Sequence, residues 1–191
     1  EDARASVCSL QQCGSSSGPA RSQQSGWQAS TCAASQVPPP LPLLRQYLHT
    51  AAFGPQHGLR GDKQDNMVES SDFIDPVHKI PVYSLYGDVR RPTQAMIESF
   101  DVLLVDLQDL GCRIYTFITT LRYLLEACAK YRKRIWILDR PNPIGRPVEG
   151  LLLKPGWESF VGAGLLPMRH GLTLGELAQW FVDKYELAAD L

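Results

Sequence analysis

The sequence predicts an α/β protein with a Rossmann-like, mainly parallel sheet and helices on both faces. Three observations carry this. Beyond residue 52, short apolar runs alternate with segments of helical periodicity. The runs at 102–105 (VLLV) and 135–138 (IWIL) are continuous rather than alternating, as in strands buried on both faces. Polar residues able to do chemistry collect just after those runs.

Residues 1–52 read as a low-complexity leader, rich in Ser, Gln, Ala and Gly, with Leu10 and Trp27 almost its only large apolar side chains before the prolines. Such a segment buries too little to offset its ordering entropy. It is expected to be disordered through Pro42, and Leu43 to Ala52 has the pattern of one short helix or strand. Residues 53–191 then form the α/β domain. Ile80 to Tyr86 reads as a strand, and Pro92-Thr93 opens a short helix through Ser99. Asp101 to Leu107 is a central strand. Phe117 to Tyr131 spaces Leu121, Leu124, Leu125 and Cys128 as a helix, with basic residues at its C-terminal end. Arg134 to Asp139 is the next strand, Leu165 to Met168 a short one after a proline-rich loop, and Thr173 to about Ala188 the last helix. The strands near 80–86, 101–107 and 134–139 are expected to be neighbours. Glu126 and the charges at 130–133 read as a solvated helix face.

Composition excludes several classes. The 191 residues carry 20 acidic and 19 basic side chains, a net charge of -1, so no cationic field favours nucleic acid or an anionic membrane. The apolar runs fall far short of the roughly 20 residues of a membrane-spanning helix. The first residues lack the basic segment and apolar core of a secretory signal. Cys8, Cys13, Cys32, Cys112 and Cys128 show neither zinc spacing nor a disulfide framework. No GxGxxG, Walker, GxSxG or HExxH motif is present, so no nucleotide, cofactor or metal is expected.

In an open parallel sheet ligands bind beyond the carboxyl ends of the strands, where loops converge. Four clusters fall there: Gln56-His57-Gly58, Gln108-Asp109, Asp139-Arg140-Pro141-Asn142 and Arg169-His170-Gly171. Each has a plainer reading. Asp139 alone fits the anchor of a proline-rich turn, His170 a helix cap or core histidine, and Asp106, Asp109 and Arg113 a structural ion-pair set. Joint placement at strand ends favours a site.

The segments FGPQHGLRGDKQDNM (53–67), IPVYSLYG (80–87), DVLLVDLQDLGCRIYTFITTL (101–121), ILDRPNPIG (137–145), VEG (148–150), ESFVG (158–162) and RHGLTLGEL (169–177) together resemble the exo-β-N-acetylmuramidase family of NamZ type. The resemblance implies a bacterial enzyme of peptidoglycan recycling. It would hydrolyse terminal N-acetylmuramic acid from non-reducing ends of peptidoglycan fragments, without metal or nucleotide. It also implies a Rossmann-like N-terminal domain covered by a smaller C-terminal one, in a periplasmic, secreted or cytoplasmic protein. Three departures stand out: Gln56 occupies a position where many relatives carry Glu, the leader does not resemble the family's opening strand and helix, and the chain stops at Leu191. The domain is accordingly expected to be incomplete, lacking its opening strand and its lid, and inactive by itself.

A glycosidase ordinarily needs two carboxyl groups. With Gln56 unable to titrate, the candidates are Asp106, Asp109, Asp139 and Glu149, with Tyr115 and His57 as alternative proton donors. Arg113 is expected to hold Asp109 ionised, and Asp139 to be desolvated. The lactyl carboxylate of muramic acid calls for Arg113, Arg140 or Arg169. Gln56, His57, Asp106, Gln108, Asn142 and His170 complete the substrate-binding set. Two other classes stay open: a sugar-binding protein without catalysis, which Gln56 fits, and a metal-dependent hydrolase using His57, Asp65 and Asp109.

Overall fold

The computed structural model describes residues 4–9, 48–59 and 69–191. It is a mixed α/β fold around one six-stranded sheet: β1 (Arg4–Ser9), β2 (Leu48–Gly54), β3 (Phe73–Ile74), β4 (Pro81–Ser84), β5 (Val102–Asp106) and β6 (Arg134–Ile137), in the order β3-β4-β2-β1-β5-β6. All pairings are parallel except β3 with β4.

The opening strand is present, which corrects the expectation that it is missing. β1 lies between β2 and β5, with Val7 opposite Ala52 on one side and Leu104 on the other. The disordered leader is therefore wrong at Arg4–Ser9, and a domain boundary at residue 52 divides a single sheet. A six-residue strand (RASVCS) vanishes when composition is averaged over its polar surroundings, although two parallel ladders fix it. The expectation of disorder at 10–42 lies outside the described residues.

β5 is buried along Val102, Leu103, Leu104 and Val105, as its unbroken apolar run requires. Its neighbours are β1 and β6; β4 is separated from it by β2 and β1. The expected adjacency therefore holds for β5 and β6 and fails for β4. The segment 165–168 is not a strand either: Pro167 has no N–H to offer a ladder, and the carbonyls of Leu166 and Met168 accept from the Arg113 side chain and backbone N–H.

Three helices are described: α1 (Gln94–Glu98), α2 (Phe117–Tyr131) and α3 (Leu174–Lys184). Thr93 caps α1, and Thr173 with Glu176 forms a capping box on α3. α2 ends where Arg132 turns left-handed at φ 53°. All three share one core. Phe53, Leu103, Val105 and Ile135 from the strands meet Ile97 of α1, Leu121, Leu124 and Leu125 of α2, and Leu177 and Phe181 of α3. Helices are thus found on one face of the sheet among the described residues. Glu126 is no solvated residue: Arg91 and Arg122 both hydrogen-bond its carboxylate, the latter at 2.8 Å. Cys128 is buried in the core, and burial pushes its thiol up to about 12. Among the described residues no helix is long and apolar enough to cross a membrane.

Candidate active site

Parallel strands deliver their carboxyl ends to one edge, and side-chain contacts knit the loops there together. After β2, the Gln56 Oε1 accepts the Thr116 hydroxyl at 2.5 Å, joining the first loop to the start of α2. After β5, the Gln108 amide donates to the Asp109 and Pro141 carbonyls at 3.0 and 3.4 Å. After β6, Asn142 donates to the Leu172 carbonyl at 3.1 Å, and Asp139 accepts the Thr173 hydroxyl at 2.7 Å. Gly111 permits this convergence: its φ is +75°, and a Cβ there would lie 2.4 Å from the Asn142 amide. A cavity of about 390 Å³ opens at the edge, lined by Asp139, Arg140, Asn142, Arg146 and Thr173 among others.

Asp109, in the loop after β5, is 3% exposed. Its Oδ2 accepts the Gly111 N–H at 2.7 Å and lies 3.2 Å from Nε2 of the buried His170, at ion-pair distance but outside hydrogen-bond alignment. Its Oδ1 is buried without a hydrogen-bond partner. Tyr115 is half-buried nearby; burial first, and then the charge of Asp109, push its hydroxyl above the ordinary value. The phenol therefore stays protonated at neutral pH.

The arginines behave differently from expectation. Arg113 makes no ion pair with Asp109; its guanidinium is buried and donates to the carbonyls of Leu151 and Leu166, at 2.9 and 2.5 Å. Arg169 holds Glu149 at 2.9 Å and the Ile144 carbonyl. Both pin the long loop between β6 and α3. Arg140 pairs with Asp106 while lining the cavity. Asp106 and Arg113 therefore do not form the ion-pair set, and Glu149 sits on an exposed loop.

Asp139 is exposed rather than desolvated, because Thr173 and Gly175 at the start of α3 attract it to the surface end of the helix. His57 is part-exposed in a left-handed conformation at φ 74°, next to Gln56 at the same edge. Asp65 lies outside the described residues, and among the described ones no group of three His, Cys, Asp or Glu side chains could hold a metal ion. Thr116, Thr173 and Gly111 were not singled out in the sequence. Thr173 carried a legible signal, since Thr-x-x-Glu is the capping-box pattern; Thr116 carried none.

Comparison with known proteins identifies what this chain is similar to. The family described as "Exo-beta-N-acetylmuramidase NamZ, N-terminal" matches residues 36–191. Peptidoglycan beta-N-acetylmuramidase NamZ of Bacillus subtilis (strain 168) is 46% identical over 143 residues, covering 74% of this chain and 34% of the relative. Two crystal structures of DUF1343 family proteins from Bacteroides fragilis NCTC 9343 also match. One has TM-score 0.67 at 40% identity, over 75% of this chain and 37% of its own; the other has TM-score 0.69 at 32% identity, over 98% and 44%. The chain thus spans about a third of the length of the curated relative it matches.

Proposed function

Because this chain belongs to the family of exo-β-N-acetylmuramidase NamZ N-terminal regions, we propose that it is the site-bearing part of a glycoside hydrolase. The reaction is release of terminal N-acetylmuramic acid from the non-reducing ends of peptidoglycan fragments. The observation that carries this is Asp109: a buried carboxylate just past the carboxyl end of β5, whose Oδ2 accepts the Gly111 N–H and lies 3.2 Å from His170 Nε2, and whose Oδ1 has no hydrogen-bond partner. A fixed anion beside the sugar ring opposes the positive charge that develops in an oxocarbenium-like transition state, and it can take the proton of attacking water. Tyr115, protonated and next to it, supplies a hydrogen bond to the leaving oxygen.

The remaining roles follow from who is already engaged. Asp139 and Glu149 serve α3 and Arg169, so the chemistry falls to Asp109 and Tyr115. Arg113 and Arg169 are bound to loop carbonyls away from the cavity; Arg140, paired with Asp106 but lining the cavity, is the guanidinium placed to meet the lactyl carboxylate. Gln56, His57, Gln108 and Asn142 supply hydrogen bonds to hydroxyl and acetamido groups. The strand order supports a Rossmann-like reading: the parallel strands run β4-β2-β1-β5-β6, with the site where the order reverses about β1.

A second reading, sugar binding without hydrolysis, is favoured by one observation. Gln56 presents an amide, fixed by Thr116, where catalysis would be served by a carboxyl group. Incubating the full-length protein with muropeptides that end in N-acetylmuramic acid or in N-acetylglucosamine separates the two. Free N-acetylmuramic acid from the first substrate alone is the expected product; binding without any release supports the second reading.

A further inference from the structure

His170 is buried, and its two ring nitrogens have different neighbours. Nδ1 lies 3.2 Å from the backbone N–H of Leu172, an obligate donor, and so must accept. The single proton of the neutral ring is then on Nε2, the nitrogen 3.2 Å from Asp109 Oδ2. An imidazolium would set a second N–H against that of Leu172.

The frame around the pair is rigid. The His170 N–H donates to the Gly111 carbonyl at 3.3 Å, and the Arg113 N–H to the Met168 carbonyl at 2.9 Å, so the loop after β5 and the loop before α3 are joined by backbone. Gly171 turns with φ +68°, and a Cβ there would meet the Arg146 carbonyl at 2.3 Å.

We propose that His170 is a positioning residue: the Leu172 N–H sets it as the Nε2–H tautomer, and its Nε2, 3.2 Å from Oδ2 of Asp109, acts with the Gly111 N–H to hold the orientation of that carboxylate. This rests on the reading of Asp109 as the reacting carboxylate. The imidazole touches no substrate and acts through the carboxylate it faces.

Two measurements test this. In protein labelled with ¹⁵N-histidine, long-range ¹H–¹⁵N correlation at neutral pH should show His170 with Nε2 protonated and Nδ1 bare. An Nδ1–H tautomer, or an imidazolium at neutral pH, overturns the proposal on the unaltered protein. In the full-length enzyme, His170→Ala should lower kcat about ten- to hundredfold with KM little changed, the signature of a contact that acts on the reacting carboxylate rather than on substrate binding. His170→Gln, whose amide reaches the place of Nε2, should recover part of that loss. Wild-type kcat in His170→Ala, with Asp109→Asn inactive, overturns the positioning role. Full activity in Asp109→Asn instead overturns the reading of Asp109, whatever the tautomer.

Discussion

Asp139 is joined to Thr173 across the carboxyl edge of the sheet: its Oδ2 accepts the threonine hydroxyl at 2.7 Å while its Oδ1 accepts the Gly175 N–H at 2.8 Å. Two free N–H or O–H groups at the start of α3 are satisfied by a residue 34 positions earlier in the chain. The carboxylate is thereby a tie between strand and helix. Asp139→Ala should lower stability by about 1–2 kcal/mol, the range for losing an N-terminal cap, and Asp139→Asn by less. Urea denaturation of both variants measures this, and kcat per folded molecule should stay within about twofold. A collapse of kcat in a folded Asp139→Asn would return Asp139 to the chemistry.

Gln56 and Thr116 form a second tie, between the β2 loop and α2. Gln56→Ala and Thr116→Val should each lower kcat/KM by about two- to tenfold, the value of one neutral hydrogen bond, and the double variant should lose little more than either. Additive losses would mean that the two side chains act separately.

Arg113 anchors the loop before α3 from inside the protein. Arg113→Met leaves the Leu151 and Leu166 carbonyls without their charged donor and should destabilise by about 2–4 kcal/mol in urea denaturation. Arg113→Lys should not restore it, since one ammonium on a flexible stem does not reproduce the planar fork. Wild-type stability in Arg113→Met would show that the loop is held elsewhere.

Glu126 gives a pH-dependent contribution with a definite sign. Burial alone would raise its carboxyl; the hydrogen bonds and charges of Arg91 and Arg122 more than offset that and hold it below its ordinary value. Its folded-state value is therefore lower than its unfolded one. The stability it contributes is fully present above the ordinary carboxylate range and disappears as pH falls through the folded value. Stability curves of wild type and Glu126→Gln should converge toward acid and separate toward neutral pH. Parallel curves would contradict the assignment.

What was legible in the sequence follows from which forces act locally. The helix at 117–131 was readable to the residue, because periodic Leu and Cys positions and the basic residues at its C-terminal end are local signals. β5 and β6 were readable from unbroken apolar runs. β1 was not, because its place is fixed by two partner strands far along the chain rather than by hydrophobicity. That polar residues follow the strand ends was legible from the order of the segments; the contacts of Gln108 and His170 with Asp109 were not. The duties of the arginines were not: a guanidinium that serves buried carbonyls and one that faces a cavity look alike in sequence.

The central claim is that Asp109 carries the chemistry, and kcat of Asp109→Asn in the full-length protein, on a chromogenic β-N-acetylmuramide, tests it most directly. The substitution keeps shape while removing the charge, so the folded variant should lose about a hundredfold or more in kcat, as loss of an acid–base or charge-stabilising group does. Circular dichroism on the same sample establishes that the variant is folded. A folded Asp109→Asn enzyme that releases muramic acid at the wild-type rate would contradict the account.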